Sequence, residues 1–350
     1  MMRKKTVLVV NAGDVTGINF CRSLQETKDF HIIGVESGRE DYFMIAADQK
    51  YLVPAWDDPS YISVLNRIIE RHDVDLLYAA DTGNELLTIA KNRHRIKCRT
   101  FLPAQEDIEV TEDKWATYNR LKASGVPVPA TVLVDSESVL EDFILQYREV
   151  WLRRIYGSGG ACSLPTDSFE LAVNWVRHHD GWGKFIVSEK LSKRTGTWIG
   201  VWLEGELQVC QLRERLYWKY ANLAPSGVTG ITGDQKTFWD ENLHELAMKC
   251  VRSTVKKPHG IMCVDFTWGF DGVPYPTEIQ ASRFYSSIYF LTRSGLNLAE
   301  IYCNLALGGS RYEQPVINPI REEFHWIKSV DCTPVLLTKS EYDGVSRYGS

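Results

Sequence analysis

Residues 260–280 constrain the fold of this chain more than any other stretch. Gly260-Ile-Met-Cys-Val-Asp265-Phe is an apolar run broken by one acid, Asp271-Gly272 signals a tight turn, and Pro274-Tyr-Pro-Thr-Glu278-Ile-Gln280 is a second extended run. Two such runs joined through Asp-Gly form an antiparallel hairpin, which sets Asp265, Glu278 and Gln280 side by side. Hard oxygen donors at this spacing suit Mg²⁺, which takes one or two carboxylates and completes its shell with phosphate oxygens and water. Upstream, the loop Gly157-Ser158-Gly159-Gly160 offers backbone N–H groups to the same phosphates. The chain reads as one that holds a magnesium nucleotide between two pieces of sheet.

At 350 residues, two or three subdomains are expected. The net charge of −5 argues against a nucleic-acid partner, whose binding needs a basic face. No apolar run approaches a membrane span, so no membrane partner is expected. The start, Met1-Met-Arg-Lys-Lys-Thr-Val-Leu-Val-Val10, mimics a signal peptide, but its apolar stretch stops at Asn11, too soon for one. Eight cysteines are scattered without C-x-x-C spacing. That argues against a zinc or disulfide framework and fits, for most of them, small buried residues in a reducing cytoplasm, the expected location.

Residues 1–110 alternate between strand and helix, as a Rossmann-like doubly wound unit does. Its first strand, Thr6–Val10, is a continuous apolar run followed by the turn Asn11-Ala-Gly13-Asp-Val-Thr-Gly17. A plain tight turn is preferred there over a dinucleotide site, although Glu36 at the end of the second strand is a candidate ribose-binding acid. Thr111-Glu-Asp-Lys114 caps a helix running to Ala123, which Ser124-Gly125-Val-Pro127 ends. Residues 111–190 form a smaller unit with the glycine loop, residues 191–310 a larger one with the hairpin, and residues 311–350 an extension. In that extension, Glu322-Glu-Phe-His-Trp326 reads as a closing strand or a helix.

Trp151-Leu-Arg153-Arg154-Ile-Tyr156 delivers two arginines into the glycine loop. Fixed cations beside N–H donors match a polyphosphate; a surface hairpin with exposed arginines is the plainer alternative. In Gln211-Leu-Arg213-Glu-Arg215 both arginines fall on one face of a strand, as a carboxylate clamp or as a solvated charged strand. His178-His179 are adjacent on a helix, face different ways, and read as surface histidines.

Read in order, Asp113-Lys114, the glycine loop, Val187-Ser-Glu189-Lys-Leu191, Asp265 and Glu278-Ile-Gln280 resemble the ATP-grasp superfamily over roughly residues 5–310. The likeness is best to the ATP-grasp half of the carbamoyl phosphate synthetase large chain and its stand-alone relatives. Pro225-Ser-Gly227-Val-Thr229-Gly230-Ile-Thr-Gly233-Asp234 resembles that group's segment near the acyl-phosphate site, and Glu278-Ile-Gln280-Ala-Ser-Arg283 its Glu-x-Asn-x-Arg segment with one residue inserted.

The resemblance implies an α/β and α+β chain, an ATP-grasp fold behind a preATP-grasp domain. It also implies an ATP-dependent carboxylate–amine ligase that works through an acyl phosphate. ATP and two Mg²⁺ would be required, with small carboxylate and amine substrates; dimers are common in such proteins. Lys114 and Arg153 would grip phosphates, with Arg154 sharing or taking the second role, and Gly157, Ser158, Gly159 and Gly160 would fold over them. Glu189 and Leu191 would enclose adenine. Asp265, Glu278 and Gln280 would bind metal, and Arg283 would stabilise the transferring phosphoryl group. The turn at Gly13, with Arg213, Arg215 and Thr229, would contact substrate. Departures are Arg153 for the usual lysine, Gln280 for asparagine, and Thr195 or Thr197 where a ribose-binding acid is usual.

Overall fold

The computed structural model describes residues 3–80, 83–157, 159–329 and 334–344; Ser158 lies outside the described residues. The described strands form three sheets. The first is parallel, in the order Gln49–Leu52, Phe30–Glu36, Lys5–Val10, Leu76–Ala79, Arg99–Thr100. A strand covered on both faces needs consecutive apolar residues, and Val7, Leu8, Val9 and Val10 are all buried. Leu8, Val10, Ile33 and Val35 pack against helices Tyr61–Arg71 and Asn84–Lys91. Val7, Val9 and Ile32 meet Phe20 and Leu24 of helix Val15–Gln25 on the other face.

The second sheet is antiparallel, ordered Thr131–Val134, Phe185–Glu189, Val150–Arg154, Leu164–Thr166. Helices Glu137–Tyr147 and Phe169–His178 cover one face, burying Leu140, Phe143, Val173 and Val176 against Val150 and Leu152.

The third sheet has eight strands. Its main path runs Pro274–Ala281, Gly260–Trp268, Thr195–Leu203, Glu206–Trp218, Thr232–Phe238, Phe324–Ile327, Val335–Thr338, all antiparallel, and Val316–Ile317 pairs with Glu206–Trp218. Helix Glu241–Thr254 covers one face over Trp198, Trp202, Leu212 and Val264. The opposite face shares one core with the first sheet: Ile199, Val201, Ile261, Phe284 and Tyr302 pack with Phe20 and Tyr78. Phe20 stacks on Tyr78 with ring centroids 3.8 Å apart, and the Phe284 N–H donates to Tyr78 Oη at 3.1 Å. This joint fixes the end of the hairpin against the first sheet.

One expectation is corrected, and one open alternative resolves to a strand. The helix expected from Thr111 starts at Lys114, because Asp113 is extended (φ −93°, ψ 104°) and caps it, accepting from Ala116 N–H at 2.8 Å. Residues Gln105–Glu112 form a separate helix that the sequence did not suggest. The stretch around Phe324, open between strand and helix, is a strand of the large sheet.

Candidate active site

The hairpin forms as its sequence dictates, and Asp265 pairs directly with Glu278. The register then slips: Phe266 pairs with Pro276, leaving Thr277 as a bulge residue. The bulge turns the Thr277 carbonyl outward, where Arg153 Nη2 donates to it at 2.7 Å. Thr197, opposite Asp265 on the next strand, donates its hydroxyl to Asp265 Oδ1 at 2.5 Å. Gln280 Nε2 donates to Glu278 Oε1 at 2.9 Å. Burial alone would raise the Glu278 carboxyl. Lys114, the Gln280 amide, Arg153 and Arg283 outweigh it and hold the group below its ordinary value, as a carboxylate.

These donors fit Mg²⁺. Two carboxylates and an amide make a partial oxygen shell, and among the described residues no cluster of three or more His, Cys, Asp or Glu offers a full cage. Magnesium prefers such a partial shell, leaving positions for phosphate oxygens.

Three cations converge on Glu278. Lys114 is the first residue of its helix, and its Nζ reaches Gly157 O at 2.5 Å. Burial lowers its pKa, Arg153 adds to this, and Glu278 opposes it. Arg153 is likewise lowered by burial and supported by Glu278. Arg283 follows Ser282, whose φ of +82° swings the chain out of the strand, and Arg283 Nε is buried without a partner among the described residues. A buried donor left unpaired is costly, so the site is shaped to receive an acceptor there.

Arg154 is not in this group. Val150, Leu152 and Arg154 share the face of the strand that meets the helices, and Arg154 donates to the His179 carbonyl at 2.7 Å. Glu189 spends one carboxylate oxygen on the Ala130 N–H at 2.8 Å, and Leu191 lies just past its strand, half-buried.

The glycine loop has positive φ at Gly157, Gly159 and Gly160, and a Cβ on Gly160 would stand 2.9 Å from Val228 O. The loop therefore leans on the 220–231 segment. Between them lies a cavity of about 530 Å³, which Thr229 also lines. Thr229 donates its hydroxyl to Lys219 O at 2.7 Å.

Arg213 and Arg215 are both buried on the face that carries Asp265, not on a solvated strand. Arg215 donates to the hydroxyls of Thr195 (3.0 Å) and Thr232 (3.2 Å), so Thr195 and Thr197 are engaged with this site's own residues.

Gly13 lies elsewhere. Its N–H donates to Glu36 Oε1 at 2.8 Å, the Asp14 N–H donates to the same oxygen at 3.2 Å, and a Cβ on Gly13 would fall 1.9 Å from Asp41 O. The turn is closed by the chain's own carboxylate and backbone.

Sequence reading missed two residues here. Glu112, the last residue of its helix, lies within electrostatic reach of Lys114, Glu278 and Arg283, and burial raises its carboxyl. It was hidden inside an apparent cap. Lys328 follows strand Phe324–Ile327, with its N–H bound to Gly233 O at 2.9 Å. Burial first, and Arg213 second, bring its pKa down to about 8. A lysine after a short strand gives no sequence signal of burial.

The architecture is the ATP-grasp fold. No family model matches the sequence, and no curated protein matches it. Solved structures match in shape. N5-carboxyaminoimidazole synthetase from Staphylococcus aureus, complexed with ADP, superposes at TM-score 0.72 with 12% identity over 93% of this chain and 83% of that one. L-amino acid ligase from Bacillus licheniformis gives 0.70 at 13% identity over 93% and 80%. Biotin carboxylase from Campylobacter jejuni, as a β-γ-ATP complex, gives 0.69 at 15% over 93% and 76%.

Proposed function

We propose that this protein is an ATP-dependent carboxylate–amine ligase. The observation that carries the reading is the convergence of Lys114, Arg153 and Arg283 on Glu278, opposite Asp265, beneath a glycine loop. In this reading Lys114 and Arg153 hold the phosphates while the N–H groups of Gly157–Gly160 close over them. Asp265 and Glu278, with Gln280 after an amide rotation, hold Mg²⁺, which would neutralise phosphate charge; two ions are expected. Glu189 and Leu191 border the adenine.

A substrate carboxylate attacks the γ-phosphorus and ADP leaves with the bridging oxygen. An amine then attacks the acyl carbon, phosphate leaves, and the amine loses a proton. No protein nucleophile is required, since positioning and charge neutralisation carry such transfers. Arg283 would meet the charge on the transferring phosphoryl group. The names of the solved neighbours, two of them synthetase or ligase, agree with this class.

The test is ADP release with Mg²⁺ and ATP against a panel of carboxylic acids and amines, singly and in pairs. Wild type should show acid-stimulated turnover, and Glu278→Gln should lower it at least a hundredfold. ATP binding without stimulated turnover by any pair would instead identify a non-catalytic nucleotide-binding protein. Absence of ATP binding would overturn the reading.

A further inference from the structure

Arg213, Arg215 and Lys328 are three cations without an acid of their own. Arg213 Nη1 donates to the neutral Gln235 amide, its guanidinium lies 3.8 Å over the Tyr285 ring, and its buried Nε has no partner. Among the described residues Arg215 is bonded only to threonine hydroxyls, and it lies 3.9 Å over the Trp218 ring. Among the described residues Lys328 Nζ makes neither a hydrogen bond nor an ion pair, and Lys328 is near enough to Arg213 to be repelled by it. The carboxylates that reach Arg215 are Asp265 and Glu278, which the ligase reading commits to metal.

All three side chains share one sheet face. Arg213 and Arg215 are two residues apart, Gln235 pairs with Arg215 and with Trp326, and Lys328 is two residues beyond Trp326. Two buried guanidiniums with neutral partners, and a half-buried ammonium beside them, are unfavourable until an anion joins them. Guanidinium forks and an ammonium suit carboxylate or phosphate oxygens.

We propose that Arg213, Arg215 and Lys328 form a pocket for a second anionic group on the acid substrate, so that the protein selects acids carrying a phosphate or a further carboxylate besides the one activated. Calling the bound molecule a substrate rests on the ligase reading; the pocket's affinity for dianions does not. The 311–344 segment then supplies a specificity residue through Lys328.

The test is the thermal shift of wild type, Lys328→Met and Lys328→Arg with inorganic phosphate, succinate or acetate. Each titration is run with a saturating non-hydrolysable MgATP analogue, which fills the phosphate-gripping residues. Wild type should be stabilised by phosphate or succinate at concentrations where acetate has no effect. Lys328→Met should weaken that dianion at least tenfold, keep its unliganded melting temperature and its analogue affinity, and be rescued by Lys328→Arg. Phosphate alone acting would identify a phosphorylated acid, succinate alone a dicarboxylic acid. Equal responses in wild type and Lys328→Met, or equal responses to acetate and dianions, would overturn the proposal. Failure to bind the analogue would count against the ligase reading alone, since dianion binding is read independently.

Discussion

Adjacent residues on one strand have opposite surroundings, and Arg153 and Arg154 show what that does to a pair of identical side chains. Arg153 bonds the bulge carbonyl of Thr277 and faces Glu278, whereas Arg154 bonds the His179 carbonyl on the helix-covered side of the sheet. Arg153→Ala should weaken MgATP binding ten- to a hundredfold, the loss of one charge-assisted contact. Arg154→Ala should leave affinity within about threefold and cost about 1 kcal/mol of stability; calorimetric titration and thermal melts separate the two. The alternation that divides them is hidden in Val150-Trp-Leu-Arg-Arg154, where Trp151 is as apolar as its two neighbours. Glu36 gives a second test. Burial, reinforced by Asp41 and Glu85, outweighs its bonds from Gly13 and Asp14 and raises its pKa from 4.5 to about 7. A carboxyl raised on folding contributes stability at low pH that is lost as pH climbs from about 4.5 through 7. Glu36→Gln keeps an oxygen for the Gly13 N–H but cannot ionise. Relative to this variant, wild type should lose about 3 kcal/mol between pH 4.5 and 8, read as diverging melts.

Elements meet at this site through their ends and irregularities. The bulge at Thr277, the helix start at Lys114 and the glycine loop each expose backbone groups that a regular strand or helix would have used internally. Gly160 is the clearest case, with a φ of +72° and its missing side chain facing Val228 O. Gly160→Ala should lower ADP release at least tenfold by holding the loop off the 220–231 segment. Its melting temperature should move by about 2 °C or less, since the loop is peripheral to the core of the second sheet. Loss of cooperative unfolding would show that the loop serves the fold instead. Local signals announced the hairpin and the loop because Asp-Gly and clustered glycines have few conformations available. The boundary at Asp113 was not legible, because an acid there caps one helix while following directly on the end of another.

Across the whole molecule, the order of short motifs was enough to anticipate the ATP-grasp fold, since the glycine loop and Glu189 mark the second sheet and Asp265 and Glu278 the third. Which residues meet was less legible wherever contacts span the chain. Gly13 has the sequence of an anion-binding turn, yet Glu36, 23 residues on, fills it. Lys328 reaches the site only because strand Phe324–Ile327 pairs with Thr232–Phe238, more than eighty residues earlier. That pairing is made by backbone groups, and Lys328 itself is anchored through its N–H to Gly233 O, leaving its side chain free to differ. Position 328 can therefore change without disturbing Lys114, Arg153, Asp265 or Glu278, whereas its neighbours Ile320 and Trp326 belong to the shared core. Such a position behaves as an interchangeable key on a fixed ring: replaced, it would redirect which acid is admitted while the nucleotide machinery stays as it is.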